Sequence, residues 1–161
     1  RACVIIFSWP HQWRLAEVML ERYIAFDIGD RRIGVAVSDP FNSYALPSTT
    51  YIRTGFARDV AALAKLAAEK GATSIVCGLP VNADGTPSVQ TEKTERFIAA
   101  LEEATGMKIV REDERYTSLA AHEQLYEGGH RAKEHKKYVD ALAAASILDG
   151  YLSRIAVKGD K

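Results

Sequence analysis

Tyr23-Ile24-Ala25-Phe26-Asp27-Ile28 leads through Gly29-Asp30-Arg31-Arg32 into Ile33-Gly34-Val35-Ala36-Val37-Ser38, followed by Asp39. Two apolar, β-rich runs flank a short loop of turn-forming and charged residues, which is the pattern of a β-hairpin. Asp27 interrupts the first run. A carboxylate within a strand is costly to bury unless a metal ion, an arginine or a set of hydrogen bonds meets it. The plainer alternative is that Asp27 caps the hairpin loop, a common use of Asp near Gly.

Outward from this hairpin, residues 44–53 form a third Thr- and Tyr-rich run. Pro47 breaks it, which predicts an edge strand. Val60, Leu63, Ala64 and Ala67 recur at helical spacing within 56–70, and Gly71 stops that helix. Residues 73–77 read as a short buried strand. It ends at Gly78-Leu79-Pro80, before a polar loop holding Asn82, Asp84 and Gly85. Ser88 is a candidate N-cap for a helix that carries Phe97, Ile98 and Leu101 and ends at Gly106. Residues 107–112 read as the fifth strand, 118–127 as a helix, 128–137 as a basic loop and 138–154 as the last helix. The order β-β-β-α-β-α-β-α-α predicts an α/β fold: a five-stranded mixed sheet with helices on both faces.

The chain of 161 residues is 47% hydrophobic, enough for one globular domain with a sizeable core. Its 21 basic and 21 acidic residues cancel, so only a local basic cluster could argue for a nucleic-acid partner. Cys3 and Cys77 have no metal-ligand spacing and make a disulfide framework improbable, which favours a reducing, cytoplasmic setting. The apolar run Cys3 to Phe7 is too short to span a membrane. Residues 1–22 are expected to be an extension outside the core, 23–154 the domain and 155–161 a tail.

Three acidic positions lie at element ends. Asp27 closes the first strand, Asp113-Glu114 follows the fifth, and Asp140 opens the last helix. Ala144, Ile147 and Tyr151 follow Asp140 at helical spacing, which sets it on the sheet-facing side. The bland reading of Asp140 is an N-cap favouring the helix dipole. Taken together, the three carboxylates suit hard divalent ions, of which Mg²⁺ takes oxygen ligands. Paired ions of this kind activate water for phosphodiester cleavage. Arg32 and Arg115 either hold phosphate or neutralise the acids. Arg131, Lys133, Lys136 and Lys137 in the basic loop are read as phosphate contacts, against the alternative of a solvated turn.

These residues resemble the YqgF/RuvX family of the ribonuclease H-like superfamily. The likeness spans roughly Arg22 to Leu152. It rests on Asp27-Ile28-Gly29 with Arg32 to Asp39, Gly78-Leu79-Pro80 with Asn82 and Asp84-Gly85, Asp113-Glu114-Arg115 with Thr117-Ser118, and Val139-Asp140 with Ala143-Ala144 and Ile147-Leu148. The resemblance implies a ribonuclease H-like fold and a metal-dependent nuclease using Mg²⁺ or Mn²⁺. Asp27, Glu114 and Asp140 would be its acidic triad, with Asp113 a weaker substitute for Glu114. Its implied substrates are structured nucleic acids: the 5′ end of 16S ribosomal RNA precursor or, alternatively, a four-way DNA junction. Two departures from the family pattern are Asp30, where Thr or Ser is usual, and Ala141, where Ser is frequent. A non-catalytic nucleic-acid-binding module remains the rival outside enzymology. Actin-like ATPases and sugar kinases share the Asp-x-Gly opening but close two such domains around a nucleotide, and this chain has length for one.

Overall fold

The computed structural model describes residues 21–114 and 132–159, and of 132–137 and 158–159 the backbone alone. Strands β1 (Tyr23–Ile28), β2 (Arg32–Ser38) and β3 (Ala45–Ile52) are followed by α1 (Phe56–Glu69), β4 (Ser74–Leu79), α2 (Val89–Thr105), β5 (Ile109–Asp113) and α3 (Ala132–Gly159). The five strands lie in the order β3-β2-β1-β4-β5. The tight turn between β1 and β2 makes that pair antiparallel, and it is closed by the Gly29 amide donating to the Arg32 carbonyl at 3.0 Å. β3 continues antiparallel at the edge. The helical crossovers α1 and α2 then return the chain so that β4 and β5 run parallel to β1.

Alternation along the strands supplies the two layers. Ile24, Phe26 and Ile28 join Ile33, Val35, Ile75, Cys77 and Ile109 on one face, where Val60, Leu63, Phe97, Ile98 and Leu101 of α1 and α2 cover them. Tyr23, Ala25, Ala36 and Val76 point the other way and meet Ala144, Ala145, Ile147, Leu148 and Leu152 of α3. Alanines on both sides of this second layer bring α3 close to the sheet. Each fully buried large side chain, such as Leu148, contributes about 1.5–3 kcal/mol of transfer free energy.

β3, which carries Pro47, is an edge strand, and its register shifts opposite Val35 and Ala36 beside that proline. Ser88 caps α2 by accepting from the Thr91 amide, and Thr91 reciprocates in a capping box; Gly106 ends the helix at φ 68°.

The last helix differs from expectation. It begins at Ala132, not 138, so the second half of the predicted basic loop 128–137 is helical and Asp140 lies more than two turns inside rather than at an N-cap. Ala, Lys and Glu are strong helix formers even without an apolar stripe. α3 also continues to Gly159, into the segment expected as a tail. The predicted helix 118–127 and the first 20 residues of the N-terminal extension lie outside the described residues. No helix among the described residues is long and apolar enough to cross a membrane.

Candidate active site

Asp27 stands between two glycines. On β2 its register partner is Gly34. On β4, Gly78 comes one step past the Phe26–Cys77 pair. Strand alternation turns all three toward α3, the face shared by Ala25, Ala36 and Val76. Neither glycine has room for a Cβ. At Gly34 that atom would overlap the backbone carbonyl of Asp140. At Gly78 it would lie 2.6 Å from Glu114 Oε1 and 2.5 Å from Ile147 Cδ1. The missing side chains therefore admit the α3 backbone on one side of Asp27 and the Glu114 carboxylate on the other.

The same alternation separates Asp113 from Glu114. Glu112 pairs with Gly78 and Asp113 with Leu79, so Glu112 faces α3 and Asp113 faces away. Glu114, just past β5, brings its carboxylate back over Gly78.

Asp27 feels the charge of Asp140, and Glu114 that of Asp27. Burial first, and the charge of Asp140 second, lift Asp27 to about 6. Burial first, then the charges of Asp27 and Asp113, lift Glu114 to about 7. Asp140 Oδ2 lies 2.6 Å from Arg32 Nε, yet this buried oxygen has no hydrogen bond. The pair therefore meets as charges, without hydrogen-bond alignment. No three acidic, histidine or cysteine side chains among the described residues are yet gathered tightly enough to hold one ion. The chemistry nonetheless fits a hard divalent cation: all donors are oxygen, they repel one another, and one buried oxygen lacks a hydrogen bond.

The family model for "RuvX: Holliday junction resolvase" matches residues 21–154. The chain belongs to the RuvX family. A relative from Clostridium kluyveri named "Putative pre-16S rRNA nuclease" is 41% identical over 84% of this chain and 98% of its own length. One of the same name from Clostridium perfringens is 40% identical over the same shares. Among solved structures, Thermus thermophilus RuvC in complex with a Holliday junction substrate superposes with a TM-score of 0.53 at 13% identity, over 84% of this chain and 96% of that one. That likeness supports the ribonuclease H-like fold. As a RuvX-family protein the chain is a nuclease, a hydrolase of phosphodiesters.

Of the residues singled out in sequence, Asp27, Glu114, Asp140 and Arg32 come together. Arg115 and Arg131 lie outside the described residues. Lys133, Lys136 and Lys137 fall in the first turns of α3; with Asp140 their positions recur at helical spacing, along one stripe. Asp30 turns away from the acids: its carboxylate meets Lys93 of α2 at 3.3 Å.

Sequence reasoning missed a buried ion pair. Glu112, 2% exposed, accepts from Arg154 Nη1 at 2.9 Å and from Nη2. Burial raises its carboxyl against the opposing pull of Arg154. The two residues are 42 positions apart, and only the docking of α3 on β5 reveals the pairing. Asp149 likewise accepts from the Ala45 amide at 2.6 Å, tying α3 to β3. Of the glycines beside Asp27, only the register of Gly34 had a readable signal: in a tight hairpin it falls opposite Asp27.

Proposed function

We propose that this nuclease is metal-dependent, with Asp27, Glu114 and Asp140 holding Mg²⁺ or Mn²⁺, and that it acts in the cytoplasm on 16S ribosomal RNA precursor near its 5′ end. The observation that carries the reading is the pair of glycines framing Asp27, which admit Asp140 and Glu114 to its two sides. Bound there, the metal would activate a water and stabilise the leaving oxygen.

The chain's own groups supply the rest. Asp27 is half-buried at the end of β1. Arg32 steadies Asp140 and keeps a partly exposed guanidinium available to a phosphate. Lys133, Lys136 and Lys137, with Arg131 and Arg115, provide local positive charge for the nucleic-acid backbone. The RNA assignment rests on near-full-length relatives about 40% identical. The family description favours the alternative, a four-way DNA junction.

Precursor RNA, a four-way junction and single strands incubated in parallel with Mg²⁺ or Mn²⁺ test both substrates. The expected result is cleavage of the precursor that disappears with chelator and with Asp27→Asn. Cleavage that persists in either case overturns the metal-dependent site. Binding without cleavage by the parent chain leaves the non-catalytic module.

A further inference from the structure

We propose that a cleft on the opposite face of the sheet binds one nucleotide, its phosphate held at the start of α1 and its base stacked on Phe56. That this nucleotide belongs to the substrate strand rests on the nuclease reading above. The cleft has a volume of about 550 Å³ and is lined in part by Ile28, Arg53, Phe56, Gln90, Thr94 and Arg96. This volume lies within the usual range for small-ligand sites.

Four features converge on it. First, α1 runs for 14 residues and opens on Gly55, which offers no side chain to its first-turn amides; such a helix start favours an anion. Second, Thr94 is fully buried and its hydroxyl has no hydrogen-bond partner. A buried orphan hydroxyl is costly unless a ligand meets it. Third, the other charges of the cleft are already matched. Arg53 binds Asp59 through Nε at 2.9 Å and the Gly29 carbonyl through Nη1 at 2.9 Å, and Lys93 meets Asp30. Arg96 makes no ion pair among the described residues and is left for an incoming anion. Fourth, Phe56 is 47% exposed although its ring packs edge-on against Phe97. An exposed aromatic ring beside a cation is the usual platform for a base.

The cleft is also fixed in place. Asp59 accepts from the Thr54 and Gly55 amides at 2.8 and 3.2 Å, which holds the start of α1. Gln90 Nε2 donates to the Ile28 carbonyl at 3.4 Å, next to Asp27 in the chain. Ile28 and Asp27 face opposite sides of β1, so a strand engaged at both sites passes around the end of the sheet at the β1–β2 turn.

Titration of the isotope-labelled full chain with uridine monophosphate, uridine and inorganic phosphate, in chelator, tests the cleft by amide shifts. The expected result is saturable shifts at Gly55, Phe56, Thr94 and Arg96 with the monophosphate, weaker ones with phosphate and none with uridine. Arg96→Ala should weaken the monophosphate by about tenfold. Thr94→Val should weaken it by about threefold or more while raising the Tm of the ligand-free protein, because the orphan hydroxyl is gone. Phe56→Leu should erase the advantage of the monophosphate over phosphate. Equal shifts with phosphate alone, or binding unchanged in folded Arg96→Ala and Thr94→Val, overturn the proposal. In cleavage assays, Arg96→Ala should raise KM for a long strand with kcat unchanged. A parent chain that binds the monophosphate here but cuts nothing supports the cleft while overturning the nuclease reading.

Discussion

The backbone carbonyl of Asp140 occupies the space where a side chain on Gly34 would begin. Helix α3 is therefore seated against β2 by an absence, and the position of Asp140 depends on it. Gly34→Ala should push α3 outward, destabilising the fold by about 1–3 kcal/mol and lowering Tm by roughly 3–10 °C. Cleavage should fall further than nucleic-acid binding, because the carboxylate moves away from Asp27 while the basic segment stays on the same helix. Thermal melts with parallel binding and cleavage assays check this; a variant with parental Tm and rate would show that α3 adjusts freely.

The raised carboxyls give the metal-free protein a defined pH response. Asp27 and Glu114 bind protons more tightly when folded, at about 6 and about 7. Their protonation therefore stabilises the fold fully below about pH 4, and this contribution is lost as pH rises through the folded values. For Asp27 the loss is at most on the order of 2–3 kcal/mol. Metal-free Tm should drop between pH 5 and pH 8, Mg²⁺ should restore it at pH 8, and Asp27→Asn should flatten the profile while raising Tm at the alkaline end. A parent profile already flat over that range would contradict the mutual repulsion of the acids.

Arg154→Ala should strand the Glu112 carboxylate beneath α3. The expected cost is about 2–4 kcal/mol at neutral pH and smaller in acid, where the carboxyl, already raised by burial, takes up a proton. Glu112→Gln in the same chain should recover most of the loss. Urea denaturation at the two pH values measures it. A loss independent of pH, or one that the second change leaves untouched, points to packing of the arginine stem instead.

Neutralising Arg131, Lys133, Lys136 and Lys137 together should weaken nucleic-acid binding across sequences and flatten its salt dependence, by up to about one unit of log–log slope per lost phosphate contact. Cleavage of saturating substrate should suffer less than from Asp140→Asn. A binding constant and salt slope equal to the parent's would locate the nucleic-acid surface elsewhere.

Much of the fold was readable because its signals are local. Alternating apolar residues, the tight turn at Gly29, Pro47 in β3 and the Ser88 cap each act within a few positions. The start of α3 was not readable. Residues 132–137 are charged and carry no apolar stripe, so they look like a loop, and intrinsic helix propensity with docking downstream decides otherwise. Asp27 declared itself as a charge in an apolar strand. The steric roles of Gly34 and Gly78, the placement of Glu114 over Gly78, and the Glu112–Arg154 pair depend on which strands become neighbours and on where α3 docks. Those contacts join residues far apart in the chain and leave no local pattern.

The docking of α3 also sets a schedule. Asp27 leaves the ribosome 113 residues before Asp140, and the helix bearing Asp140 is the last described element. A nascent chain can build the β1–β2 hairpin early but cannot complete the proposed acidic triad until α3 has emerged and seated itself over Gly34. Under the proposed triad, chains cut short before α3 lack one of its three carboxylates, and hydrolytic competence waits for that helix to be made.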